Sequence, residues 1–259
     1  MKVIETISLT TGYIAGKNRI EISEGISESL YPGELTCLLG RNGSGKSTLL
    51  KTLSGFLPPL AGTIEIMGKK LQDYSPRQLS QMIGVVLTER FSASNMTVYD
   101  LVATGRSPYT GYWGGLSAED RKIIEESLQL AGITGMAQRK VVTLSDGERQ
   151  KTFIAKALAQ QTPVIFLDEP TAFLDYPGKV DTFRLLKKLA RQQERTIFLS
   201  THDLEVALRV TDRLWLMDRE KGLTTGTPQQ LAEEGRIGKY FDSEGLTFNK
   251  AEMNFSITV

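Results

Sequence analysis

The sequence predicts an α/β protein built on a mainly parallel sheet. Three observations carry that reading. Short apolar runs alternate with stretches of helical period from end to end, the pattern of strand–helix–strand crossover units. A glycine-rich turn sits between one such run and a helix. The run at 164–167 is apolar throughout, as in a strand covered on both faces. With 259 residues, one or two domains are expected, and about three quarters of the unfolded surface can be buried.

Taken in order, Met1 to Thr11 alternates polar and apolar residues and lacks the apolar core of a signal peptide. Residues 34–39 form a strand ending at Gly40. Residues 47–54 form a helix, stopped by Gly55 with Pro58 and Pro59 beyond. Residues 63–66 and 83–87 are strand-like. Residues 97–105 and 118–130 are helical, and Ser117 with Asp120 has the form of a capping box. Between them, 106–116 is rich in glycine and aromatics. From Val141 the alternation returns. Residues 145–159 are helical, with Phe153, Ile154, Ala157 and Leu158 on one stripe. A strand at 164–167, a helix at 177–193, a strand at 196–200, a helix at 203–210 and a strand at 214–217 follow. The stretch from about 90 to 140 reads as a helical subdomain inserted into a main domain of residues 1–234. Residues 235–259 read as an extension, in which Phe255, Ile257 and Val259 alternate like an edge strand.

Composition excludes several classes. Lys plus Arg is 31 against 30 for Asp plus Glu, a net charge of +1. No global field marks the chain for nucleic acid, and no nucleic-acid partner is expected. One cysteine (Cys37) and one histidine (His202) rule out a disulfide framework and cysteine- or histidine-rich metal sites. No apolar run approaches the roughly 18 residues of a membrane span, so a cytoplasmic protein, peripheral to any membrane it serves, is expected.

The chemistry is concentrated in two places. Gly40-Arg41-Asn42-Gly43-Ser44-Gly45-Lys46-Ser47 fits G-x-x-x-x-G-K-[ST]. Its glycines let backbone N–H groups turn inward around phosphates, at the positive end of the helix that follows. Lys46 can reach β- and γ-phosphates, and Ser47 can ligate Mg²⁺. The second place is the end of the strand at 164–167, where Asp168 and Glu169 follow. Ligands bind at the carboxyl ends of parallel strands. Asp168 suits a Mg²⁺ role through water, and Glu169 can polarise a water for attack on a γ-phosphate. Leu144-Ser145-Asp146-Gly147-Glu148 opens a helix, where a plain N-cap is the simplest account. His202 follows a strand that would end at the same sheet edge.

The order and spacing of these motifs, from about Tyr13 to Gln230, resemble the nucleotide-binding subunit of ATP-binding-cassette (ABC) transporters. That resemblance implies a phosphate-loop NTPase cassette with an N-terminal antiparallel β part and an inserted helical subdomain. It implies ATP and Mg²⁺ as ligands. Tyr13 would stack on adenine. Lys46, Ser47 and Thr48 would hold phosphates and Mg²⁺, Glu169 would be the hydrolytic carboxylate, and His202 would sense the γ-phosphate. Two copies would pack head to tail, so that Ser145, Gly147 and Glu148 of the signature act on the opposite subunit's ATP. Asp175 would lie in the loop joining the two sites. An integral membrane permease, and through it a substrate-binding protein, would be the partners, at the cytoplasmic face of the inner membrane.

Three departures stand out. The family's Leu-Ser-Gly-Gly-Gln is Leu-Ser-Asp-Gly-Glu here, and Asp146 is expected to cap its own helix. Thr88 stands where the family's Mg²⁺-contacting glutamine sits. The third is the extension itself. Gly105-Arg106-Ser107-Pro108-Tyr109, Trp113 and Leu116-Ser117-Ala118-Glu119-Asp120 resemble the branch that imports iron chelates, haem and cobalamin. A DNA-maintenance ATPase would carry a long coiled coil before the signature, and a translation factor would usually carry two cassettes. A nucleotide-gated scaffold with little turnover is the remaining alternative.

Overall fold

In the computed structural model, which describes residues 1–16, 18–87, 95–111 and 114–257, the chain starts with an antiparallel layer. β1 (Ile4–Ala15) turns into β2 (Asn18–Ile26), and β3 (Ser29–Leu30) pairs back onto β1. β4 (Leu35–Leu39) enters a second, central sheet, and α1 (Lys46–Leu53) follows it. β5 (Ala61–Ile66) and β6 (Lys69–Lys70) return to the first layer, whose strand order is β2-β1-β5-β6. α2 (Pro76–Met82) leads into β7 (Ile83–Val86). α3 (Val98–Ala103), α4 (Ala118–Leu130) and α5 (Asp146–Ala159) come next. Strands and helices then alternate through β8 (Val164–Asp168), α6 (Tyr176–Gln192), β9 (Thr196–Thr201), α7 (Leu204–Val210), β10 (Arg213–Asp218) and β11 (Gly222–Gly226). The described chain closes with α8 (Pro228–Glu233), α9 (Arg236–Phe241) and a hairpin of β12 (Leu246–Asn249) and β13 (Asn254–Ile257).

The central sheet has the order β11-β10-β4-β9-β8-β7. All its pairs are parallel except β10 with β11, so the mainly parallel sheet read from the sequence is present. This order decides where the site falls. β9 lies between β4 and β8, and all three end on the same edge.

Alternation sorts the side chains onto two faces. Leu35, Cys37 and Leu39 of β4 join Ile165, Leu167, Phe183 and Leu186 in one core. Leu38 points the other way, against Leu49, Leu50 and Leu53 of α1 and the aromatic row Phe166, Phe198 and Trp215. The rings in that row meet edge to face at 5.7 and 5.0 Å, an arrangement worth about 0.5–1.5 kcal/mol per pair beyond area burial. α3, α4 and one face of α5 share a third core that includes Leu101, Val102, Ile124, Leu128, Ala155 and Ala159.

Several details differ from the sequence reading. α3 covers only Val98–Ala103, because Thr97 is its capping residue and Thr104–Arg106 tightens into a 3-10 turn. β2, α2 and β11 were not anticipated: β2 is exposed along most of its length, so no buried stripe marks it. As the alternation indicates, Phe255 and Ile257 lie on a strand, β13, which among the described residues pairs with β12 in a separate two-stranded sheet; Val259 is outside the described residues, as are Thr88 and Trp113. The C-terminal segment packs inward. Ile237, Tyr240, Phe241 and Phe248 join the core beneath β4. Among the described residues, no helix is long and apolar enough to cross a membrane.

Candidate active site

The phosphate loop leaves the end of β4 at Gly40. A Cβ there would lie 2.4 Å from the Met217 carbonyl and 2.5 Å from Ser44 Oγ, so only glycine fits the close approach. Gly45 has φ +106° and abuts Ile22 of β2. It is also the N-cap of α1, with no side-chain cap, which leaves the first-turn N–H groups available to an anion. Ser44 Oγ is buried and has no hydrogen-bond partner among the described residues, as a group built to meet a phosphate oxygen would be. Lys46 is buried, and its Nζ donates to the Gly40 carbonyl at 2.8 Å and the Arg41 carbonyl at 3.3 Å.

The acidic strand end lies two strands away, across β9. Ser47 Oγ donates to Asp168 Oδ1 at 3.2 Å, and Ser200 Oγ donates to the same oxygen at 2.6 Å. A hydroxyl and a carboxylate held together are hard oxygen donors of the kind Mg²⁺ takes, with water and phosphate completing its shell. Glu169 adopts φ +45°, a left-handed conformation unusual for a branched-free but long side chain and typical of functional turns. Its N–H donates to the Ser200 carbonyl at 3.1 Å and to Ser200 Oγ at 3.0 Å. This turn breaks strand alternation, so that two adjacent carboxylates serve one site.

Glu169 then makes two contacts. Its Oε1 lies 3.8 Å from Lys46 Nζ, and its Oε2 lies 2.9 Å from His202 Nδ1. His202 is half exposed, immediately past β9. A cavity of about 480 Å³ opens among Gly40, Arg41, Asn42, Glu169, His202 and Phe241. Beneath it, Asp203 accepts from Thr171 Oγ1 and Lys179 Nζ, both at 2.5 Å. Burial pushes the Asp203 carboxyl up, but those hydrogen bonds together outweigh burial and hold it below its ordinary value. Ser200, Thr171 and Lys179 were not singled out in the sequence. The only available signal was a polar pair, Ser200-Thr201, closing an apolar strand.

The remaining candidates sit apart from this cluster within one chain. Ser145 is the N-cap of α5 and forms a reciprocal box with Glu148: Glu148 N–H donates to Ser145 Oγ at 3.3 Å, and Ser145 N–H to Glu148 Oε2 at 2.9 Å. The Ser145 N–H, and after it Arg139, hold the Glu148 carboxyl below its usual range. The expectation that Asp146 caps its helix is corrected. Asp146 is the first residue inside α5, and its exposed carboxylate pairs with Arg149 at 3.1 Å, because Ser145 already occupies the cap. Gly147 faces Leu174, whose Cδ2 would lie 4.0 Å from an added Cβ. Asp175 caps α6, accepting from Gly178 N–H at 3.0 Å. Thr48 lies in the first turn of α1. Tyr13 is exposed on β1 opposite Ile20, outside the cavity lining; Ile22 is the hairpin residue against the phosphate loop.

A glycine-turned phosphate loop, an acidic strand end and a histidine, converging at the carboxyl edge of a parallel sheet, define a nucleotide-hydrolysing phosphate-loop domain. Comparison with known proteins narrows that class. The family described as ABC transporter matches residues 23–172. The chain is 39% identical over 248 residues to an uncharacterized ABC transporter ATP-binding protein of Methanocaldococcus jannaschii, covering 96% of this chain and 84% of that protein. It is 35% identical to the iron(3+)-hydroxamate import ATP-binding protein FhuC of Bacillus subtilis, covering 95% and 91%. A dimeric bacterial ABC transporter cassette, MJ0796, superposes with a TM-score of 0.74 at 28% identity, covering 87% and 98%. This chain belongs to the ABC transporter family, as an ATP-binding and ATP-hydrolysing subunit.

Proposed function

We propose that the chain works as a homodimer on the cytoplasmic face of a membrane, where MgATP hydrolysis drives a permease that imports an iron chelate. The observation that carries this reading is the convergence of the Lys46–Glu169 ion pair and the Glu169–His202 hydrogen bond beside the hydrogen-bonded set Ser47–Asp168–Ser200. The cargo class is supported by the iron-hydroxamate import relative and by the segment Gly105–Tyr109; haem and cobalamin are the neighbouring cargoes.

Ser47 and Asp168 would hold Mg²⁺, which would supply neutralisation of phosphate charge. Lys46 exchanges the Gly40 and Arg41 carbonyls for phosphate oxygens. Glu169 takes the proton of a water as its oxygen bonds to the γ-phosphorus, while the bond from that phosphorus to the β-bridging oxygen breaks. His202 orients the Glu169 carboxylate through Nδ1, and its Nε2 meets the γ-phosphate. Ser145 and Gly147 of a second copy close the site over ATP.

The test is affinity purification from gently solubilised native membranes, with partners identified by mass spectrometry. Recovery of a many-helix permease together with a chelate-binding protein supports the reading. Recovery of ribosomes, DNA-maintenance proteins or only copies of this chain overturns it.

A further inference from the structure

The phosphate loop is held from outside by the C-terminal segment, which the chemistry above does not use. The Arg41 guanidinium reaches across the cavity, and its Nη2 donates to the Asp242 carbonyl at 3.2 Å and the Phe241 carbonyl at 3.4 Å. These acceptors close α9, so the cation sits at the carbonyl end of a helix, where it is favoured. The Phe241 side chain lines the same cavity as Gly40, Asn42 and His202.

Asp242 joins two systems. Its carbonyl accepts from Arg41, while its carboxylate Oδ1 accepts from Phe248 N–H at 2.8 Å, tethering β12 of the hairpin. Phe255 of that hairpin stacks edge-on with Phe241 at 6.4 Å and tilts against Phe248 at 5.2 Å. α9 is also tied to the β10–β11 turn: Tyr240 Oη donates to the Lys221 carbonyl at 3.2 Å, and Lys221 Nζ donates to the Lys239 carbonyl at 2.7 Å. The same turn sends Arg219 Nε to the Gly43 carbonyl at 2.8 Å. The loop is therefore held at two points by elements that meet in α9. Arg41 is the more telling one, because its own carbonyl is an acceptor for Lys46.

We propose that α9 and the β12–β13 hairpin set the conformation of the phosphate loop, with Arg41 and Asp242 as positioning residues for Lys46. Resting on the ATPase reading above, this makes nucleotide affinity depend on a segment that touches no phosphate. The Asp242 carboxylate is the discriminating group, since it contacts the hairpin and not the loop.

The experiment measures ATP affinity by calorimetry and KM and kcat by phosphate release, in the full chain carrying Arg41→Met, Asp242→Ala, Asp242→Asn and the double change Arg41→Met/Asp242→Ala. Arg41 is exposed, so its replacement leaves the core intact; thermal melting checks Asp242→Ala. We expect Asp242→Ala to weaken ATP binding and raise KM about three- to tenfold with kcat within about twofold, a split that general destabilisation does not produce. Asp242→Asn, which keeps an acceptor for Phe248, restores affinity. The double variant is no weaker than Arg41→Met alone, because both changes cut one path. An affinity loss confined to Arg41→Met means that Arg41 meets ATP directly and overturns the proposal, as do additive losses or failure of Asp242→Asn to restore. If Asp242→Ala does not fold, the comparison of Arg41→Met with Arg41→Lys decides: Lys can still reach a carbonyl, and failure to recover affinity overturns the proposal. If the parent binds ATP without hydrolysing it, the hydrolysis reading fails while the calorimetric comparison still decides this one.

Discussion

Glu169 and His202 meet at 2.9 Å although 33 residues separate them, and they meet because β8 and β9 are neighbours whose ends lie on one edge. The Glu169 carboxylate is thereby fixed between an imidazole on one side and the Lys46 ammonium on the other. Replacing it with an isosteric amide keeps the shape and removes the base. Glu169→Gln is expected to lower phosphate release by about 10²- to 10⁴-fold while ATP binding persists. Size-exclusion chromatography with MgATP is expected to show a stable dimer; a purely monomeric variant at saturating ATP counts against the sandwich.

Ser200 is fully buried and serves two neighbours, donating to Asp168 Oδ1 and accepting from Glu169 N–H. Ser200→Ala removes one donor to Asp168, which keeps Ser47, and one acceptor of Glu169 N–H, which keeps the Ser200 carbonyl. The expected loss is about 0.5–1.5 kcal/mol in a urea unfolding series. The Mg²⁺ concentration for half-maximal ATPase rises with it, because Asp168 is less firmly aimed.

Ser145→Ala removes the N-cap and is expected to cost about 1 kcal/mol, read as a lowered melting temperature. Asp146→Gly removes an exposed pair with Arg149 and a first-turn carboxylate of α5. Its turnover is expected to stay within about threefold of the parent; the small free-energy scale of such pairs is the reason. A large gain would mark Asp146 as inhibitory.

Arg106 and Asp120 form a nearly buried pair at 2.8 Å in the helical layer, and Arg106 also donates to the Ala159 carbonyl. The Ser117 hydroxyl first, and Arg106 next, hold the Asp120 carboxyl down at about 2 from 3.8. Because the folded value is depressed, the stabilisation is complete above the unfolded value of 3.8 and is lost as pH falls toward about 2. Urea midpoints measured from about pH 5 downward are expected to fall more steeply through that window in the parent than in Asp120→Asn. Arg106→Met takes the cation from Asp120 Oδ1 and the donor from the Ala159 carbonyl while Ser117 still holds Oδ2, and is expected to destabilise by about 1–3 kcal/mol at neutral pH.

The parallel sheet, the phosphate loop and the acidic strand end were legible because each is written locally: an apolar run, a spacing of glycines, two adjacent carboxylates. What could not be read was the backbone of Glu169. Alternation would send it away from Asp168, and only its left-handed φ, stabilised by the Ser200 contacts, brings both to one place. The identity of the α5 cap was ambiguous for a related reason. Ser145 and Asp146 can both cap, and Glu148 three residues on decides for Ser145 by closing the box. The role of 235–259 was not legible at all, since Arg41 and Asp242 come together only through the packing of α9 against β10 and the β12–β13 hairpin.

α5 bridges two separately packed regions. Ile154, Ala157 and Leu158 interlock with the core of the sheet, while Ala155 and Ala159 face the core of α3 and α4. The helical layer lies tight against this helix: a Cβ added at Gly105 would come 2.3 Å from the Lys156 carbonyl, and Arg106 donates to the Ala159 carbonyl at 2.8 Å. A rod clamped on both flanks acts as a shared lever, so a displacement of α3 and α4 is passed to Ser145 at its head.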